Sequence, residues 1–268
     1  IYKHKNMKKI VVIVSDNNPN YKFYIPIIEW VWNKLGWEMA LFVSDDCEGY
    51  TTNLSTTQIH IAPKVAIVKP VLNVATVRLF VSNVLPKDAL IQINDTDIIP
   101  LKEWNPDPTK KTIYGWELTG KSFIPMHYTT MLGSDWYELM GCTGNMHEDM
   151  EREMKLNGRA YSEDWETYWN TDWDILTSKV MPKIGEFTFV NRGMVHLAKD
   201  STAAGRVDRY DYNKTLNQPN LIDIHCYNGG VTRPENVDVI KDLLIKYHGE
   251  CPEWFDSYVK EFHDKFCI

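Results

Sequence analysis

ALIQINDTDIIPL, residues 89–101, decides how the rest of the chain is read. Leu90, Ile91 and Ile93 form a short apolar run, as in a strand buried on both faces. Ile98, Ile99 and Leu101 resume it after Asp95-Thr96-Asp97. Two carboxylates inside such a run must be solvated, paired or bound to a cation, because bare buried charge is expensive. Residues i and i+2 of an extended end point the same way. Asp95 and Asp97 are therefore expected to offer two hard oxygen donors side by side, suited to Mn²⁺ or Mg²⁺ when a diphosphate fills the remaining positions. A turn or cap uses the same pair without a ligand. What favours the ligand is the position, since open α/β sheets bind ligands at the carboxyl ends of their strands.

Outward from this stretch the chain reads as strand–helix–strand units. Lys9–Ser15 is a β-branched run, Tyr24–Leu35 has helical apolar spacing with Pro26 in its first turn, and Met39–Val43 is a second strand. A second unit is expected from a strand at Val65–Val68, a helix over Val74–Asn83 and the strand Ala89–Asn94. Residues 104–121 read as a loop or small insertion, and 126–180 as mostly helical and aromatic. Gly185–Leu197 returns to strand character, and Val237–His248 and Glu253–Phe266 read as closing helices. No repeat or linker divides the 268 residues.

The net charge of −7 argues against a nucleic-acid or anionic-membrane partner. Five cysteines without CxxC spacing do not make a disulfide framework. No run approaches the roughly 20 apolar residues of a membrane span, and no signal peptide is visible. A cytoplasmic chain is expected. The sequence begins at Ile1, so an upstream targeting segment stays open, as does the oligomeric state. The compositional surplus is tryptophan, ten in all, five of them between Trp116 and Trp173.

Three stretches resemble one family. The DxD after a buried strand is similar to that of GT-A glycosyltransferases. VVIVSDNNPNY (11–21), ATVRLFVSNVLPKDALIQINDTDIIPL (75–101) and FTFVNRGMVHLAK (187–199) resemble, in order and spacing, segments of the family 8 retaining members. The resemblance implies an α/β, Rossmann-like GT-A fold, a mixed, mainly parallel sheet flanked by helices. It implies a single catalytic domain over 1–268, with about 1–101 as the nucleotide-sugar and metal half, about 102–236 as the acceptor half, and 237–268 as C-terminal helices. The implied activity is metal-dependent transfer of a sugar from a nucleotide-sugar donor, UDP-linked, to a carbohydrate or glycan acceptor, with a lean toward retention.

Carried over by residue, the resemblance places Ser15, Asp16 and Asn17 at the nucleoside and Arg78 at the donor phosphates or sugar, where a guanidinium fits bidentately. A surface Arg on an amphipathic helix is the alternative for Arg78. Asp95 and Asp97 are the expected metal ligands, Asp97 the more direct, and Asp95 also lies on the donor. A late His completes the set; His225 in LIDIHCYNGG is preferred to His196, which alternates within a strand. Arg233 in Thr232-Arg233-Pro234 stands near where the family has a Lys-Pro-Trp, two residues late. Asn191 is expected to steady the reacting centre of a retaining enzyme. An inverting enzyme needs a carboxylate base. Asp164, in a Ser-Glu-Asp-Trp similar to inverting family 2 enzymes, is one candidate. Asp172 and Asp174 are others, but their Asp-x-Asp-Ile-Leu precedes the Asn-x-Gly strand, whereas in family 8 it follows. Trp136, Trp165, Trp169 and Trp173 are expected to stack on an acceptor sugar, with core packing the alternative; Trp30, Trp32 and Trp37 are expected in the core. A sugar-nucleotide pyrophosphorylase ranks low, because SDNNPNYK (15–22) has no Gly-rich basic loop. A noncatalytic carbohydrate-binding protein explains the tryptophans but not the DxD with its late His.

Overall fold

The computed structural model describes residues 7–45, 57–65, 69–158, 161–164, 168–196, 201–209, 212–218, 220–226, 229 and 231–266. Its first strand, β1 (Lys9–Ser15), runs between β2 (Glu38–Val43) and β4 (Leu90–Ile93), parallel to both. β-branched side chains alternate across the pleat, so Ile10 and Val12 enter one core and Val11 and Ile13 the other. Helix α1 (Pro19–Lys22) follows β1, capped by the Asn18 side chain. Helix α2 (Ile25–Lys34) then buries Ile27, Ile28, Val31 and Trp32 on one face.

The sheet has seven strands in the order β3-β2-β1-β4-β7-β6-β8. β3 is Gln58–Ile61, β6 Lys111–Tyr114, β7 Thr129–Leu132 and β8 Phe187–Val190. Only β7 runs against the others. The edge strand is thus β3 and not Val65–Val68; Val65 is in no strand, and 66–68 lie outside the described residues. Two further strands were not anticipated. β6 lies inside the expected loop and β7 inside the expected helical stretch, each a four-residue segment held by its neighbours. The helix of the second unit, α3 (Pro70–Val77), starts four residues earlier than the periodicity implies. Pro70 supplies the fixed φ of a first turn and keeps Lys69 extended before it.

Beyond β7 come α4 (Gly133–Met140), α5 (Met146–Asn157) and α6 (Thr171–Val180), which pack with α3 on one face of the sheet. The other face is covered by α2, α8 (Pro234–His248) and α9 (Phe255–Phe266). Strands β9 (Met194–His196) and β10 (Ser201–Ala203) pair antiparallel, and α7 spans Tyr212–Thr215.

A small second sheet positions the site. β5 (Ile98–Pro100) continues the chain after the DxD and pairs antiparallel with β12 (Asp223–His225), which pairs parallel with β11 (Arg206–Val207). Its register sets His225 opposite Ile98, and the Cys226 amide donates to the Asp97 carbonyl at 2.7 Å. The late His is thereby carried to the DxD by backbone pairing. Among the described residues no helix is long and apolar enough to cross a membrane.

Candidate active site

β1 has β2 on one side and β4 on the other, so their carboxyl ends form the point where strand order reverses, the usual ligand crevice of such sheets. A cavity of about 360 Å³ opens there. Ser15 and Asp16 come off β1, and Asp95, Thr96 and Asp97 off β4. α3 presents Val71, Val74, Ala75 and, at its end, Arg78. Trp169, Asp172 and Trp173 stand at the start of α6, His127 just before β7, and Arg206, Arg209 and His225 on or after β11 and β12.

Residues 96 and 97 turn and do not stay extended, and the two aspartates take different partners. Asp95 accepts from Arg78 Nη1 at 2.6 Å, and its other oxygen lies 3.9 Å from His127 Nδ1. Asp97 Oδ2 accepts from Arg209 Nη1 at 2.8 Å and lies 3.8 Å from His225 Nε2. His225 Nδ1 lies 3.5 Å from Asp208. Arg78 is fastened to Asp172 through Nε at 3.1 Å and through Nη2. Asp172 is 2% exposed and also accepts from the Trp173 amide.

Burial sets the protonation of these groups. It pushes the Asp172 carboxyl upward; Arg78 pulls the other way, and the charge of Asp95 adds to the rise. Burial also acts to raise Asp95, but Arg78 and His127 outweigh it and hold that carboxyl below its usual range. His127 is pushed down to about 3, first by burial and then by the positive charge of Arg206. Its Nε2 is buried with no hydrogen-bond partner among the described residues.

An unfolded His takes a proton near pH 6.5 while His127 refuses one down to about 3, so stability falls as pH drops through that window. The loss from this group at pH 5 is about 2 kcal/mol. His127→Asn is expected to remove that part of the acid sensitivity. Urea unfolding at pH 7 and pH 5 measures it, and an equally steep loss in the variant would refute the assignment.

A second buried network supports the wall. Arg192 and Arg206 each make two hydrogen bonds to Asp223, at 2.6 and 2.8 Å and at 2.9 and 3.0 Å. Burial raises the Asp223 carboxyl, but the two guanidiniums drive it far below the ordinary carboxylate range. Gly205, at φ +70°, lets β11 pass close to Asn220, whose carbonyl a Cβ would meet at 2.8 Å.

Of the residues anticipated from sequence, Ser15, Asp16, Arg78, Asp95, Asp97, Asp172, His225, Trp169 and Trp173 come together around this cavity. Others do not line it. Asn17 is exposed and accepts from Lys22 at 2.5 Å. Asn191 is exposed at the end of β8, three strand spacings or about 14 Å across the sheet from β4. In that Asn-x-Gly stretch it is the middle residue, Arg192, that turns inward. Arg233 is exposed at the N-cap of α8, and Asp164 is exposed outside the cavity. Asp174, half-buried in the first turn of α6, is not among the lining residues. Asp172 is no free base, because Arg78 claims it. Trp136 is 0% exposed and donates to the Ile91 carbonyl at 3.1 Å, so it packs the core and does not meet an acceptor. Trp165 lies outside the described residues. Trp32 and Trp37 are buried in the core, as expected, and Trp30 packs against the same core half-buried.

His127, Asp208, Arg209 and the Arg192–Asp223–Arg206 network were not anticipated. For Arg206, Asp208 and Asp223 a signal was present in RVDR (206–209) and LIDIHC (221–226), where Arg206, Asp208, Asp223 and His225 alternate with Val207, Ile222 and Ile224 as on a strand with a polar face.

Among the described residues no three His, Cys, Asp or Glu groups converge on one point. Asp97 and His225 nevertheless face each other with one oxygen and one nitrogen donor. That pair fits a hard divalent cation that keeps several ligands from substrate phosphates and is not caged by protein alone.

No protein-family profile and no curated protein sequence matches the chain. Among solved structures, the glycosyltransferase GlyE of Streptococcus pneumoniae TIGR4 superposes with a TM-score of 0.51 at 12% identity, over 97% of this chain and 64% of that one. An active-site mutant of LgtC aligns with a TM-score of 0.49 at 8% identity, over 93% of this chain and 99% of that one. At these identities the likeness is one of fold, and the fold is the mainly parallel α/β architecture of GT-A glycosyltransferases.

Proposed function

We propose that the chain is a glycosyltransferase that moves a sugar from a UDP-linked donor to a carbohydrate acceptor. The observation that carries this reading is the facing pair Asp97–His225 at the strand-order reversal, with Asp208 behind the imidazole. Asp208 lies 3.5 Å from Nδ1, on the far side of the imidazole from Asp97, so that Nε2 faces Asp97, the orientation that metal-binding histidines take. Asp97 and His225 would hold Mn²⁺ or Mg²⁺, and the cation would supply neutralisation of the charge on the leaving diphosphate. Ser15 and Asp16, which line the cavity, would contact the nucleoside, and Arg78, held by Asp172 and Asp95, would turn its remaining surface to the sugar and phosphates. Trp169, 38% exposed, and Trp173 provide aromatic faces for the acceptor.

Retention is the favoured outcome. Asp95, Asp97 and Asp172 are each engaged by an arginine, so none of the three offers an unengaged carboxylate to an acceptor hydroxyl. That proton then goes to the departing phosphate oxygen while the acceptor oxygen bonds to the anomeric carbon.

Titration calorimetry with UDP, ADP and GDP, each in Mn²⁺ and in EDTA, tests the reading. UDP binding that requires Mn²⁺ is expected, followed in a mixed donor screen by slow Mn²⁺-dependent hydrolysis of one UDP-sugar. Absence of nucleotide binding in Mn²⁺ would overturn it.

A further inference from the structure

We infer that Arg209 is an exchangeable counter-cation: it neutralises Asp97 while the donor is away, and it moves onto the donor's diphosphate when a divalent cation takes its place. This rests on the site reading above. Among the described residues three arginines line the cavity. Arg78 and Arg206 each make two bonds to a carboxylate, that of Asp172 at 2% exposure and that of Asp223 at 0%. Arg209 donates to Asp97 Oδ2, the same oxygen that faces His225 Nε2.

That oxygen is claimed from two sides. The Asp97 side chain is 7% exposed, so it needs a positive partner at all times. Arg209 meets that need at 2.8 Å. A divalent cation between Asp97 and His225 meets it too, but beside a guanidinium it would be repelled. The group best suited to draw Arg209 away is the anion that arrives with the cation, a diphosphate, whose oxygens match the guanidinium fork. The chain makes the two claims adjacent. β11 ends at Val207, Asp208 orients His225, and Arg209, next in sequence, reaches Asp97.

The test uses Mn²⁺ alone and UDP as probes on the full chain. Arg209→Gln should change two affinities in opposite directions. Mn²⁺ alone, followed by electron paramagnetic resonance, should bind about tenfold more tightly because its competitor is gone. UDP in saturating Mn²⁺, followed by calorimetry, should bind about tenfold more weakly because a charge-assisted bond to phosphate is lost. Arg209→Lys keeps the charge without the fork, so Mn²⁺ affinity should stay near that of the parent chain while UDP still weakens. Should Arg209→Gln fail to fold, Arg209→Lys carries the test alone. Both affinities unchanged, both weakened, or only one altered in Arg209→Gln would overturn the exchange. A parent chain that binds no UDP in Mn²⁺ overturns the site reading and the exchange with it; failure of the variants alone overturns only the exchange.

Discussion

Asp223→Ala is expected to lower the unfolding free energy by about 4 kcal/mol, the range seen when one partner of a buried ion pair is removed. A domain of ordinary stability, about 5–15 kcal/mol, would be left marginal. Asp223 is fully buried between two guanidiniums whose side chains are 0% and 8% exposed. Without the carboxylate, two like charges stay together in the interior with four donors unpaired. The loss reaches the site, because Asp223 lies on β12, whose register with β5 carries His225 to Asp97. Urea unfolding should show a lower midpoint with an unchanged slope, and Mn²⁺-dependent UDP binding should weaken in parallel. Asp223→Asn, which keeps the shape, should recover only part of the loss. A change under 1 kcal/mol would mean that the arginines find other partners. The carboxyl is held far below its normal range, so its contribution is present above about pH 4 and disappears only on strong acidification.

What was legible in the sequence is what local physics determines. β1, α2, β2 and β4 were readable because uninterrupted β-branched runs and helical apolar spacing do not depend on distant neighbours. β6 (KTIY) and β7 (TTML) escaped because, unlike the apolar run of β4, their four residues mix polar and apolar types without alternation, and their strand state comes from pairing with β4 and β8. The same distinction holds in the site. Asp95, Asp97 and Arg78 were found through residues adjacent in sequence to a recognisable strand. Arg209 meets Asp97 across 112 positions, and Arg78 meets Asp172 across 94, and no local pattern announces such pairs. Trp136 was misplaced although its helix held the answer. Leu139 and Met140, three and four residues on, are buried with it, so the three form one core-facing stripe of α4.

Asp97→Ala is the substitution expected to silence the proposed activity, lowering kcat/KM for transfer by about 10²–10³-fold, the usual effect of losing a group that meets developing charge. The two aspartates of the DxD should separate cleanly. Asp95 is committed to Arg78 and lies beside His127, whereas Asp97 faces His225. Mn²⁺ dependence should therefore vanish in Asp97→Ala and survive, with weaker donor binding, in Asp95→Ala. The folding consequences also differ. Asp97→Ala removes one partner of Arg209, whose side chain is 16% exposed and can reach water, so the loss should be only about 1 kcal/mol. Asp95→Ala takes one partner from Arg78, 8% exposed, which keeps Asp172. Initial rates against Mn²⁺ concentration, with thermal unfolding of the same samples, distinguish a lost cation ligand from a lost fold. Mn²⁺-dependent UDP binding that is unchanged in Asp97→Ala would remove Asp97 from the site and leave His225 with no partner for a cation.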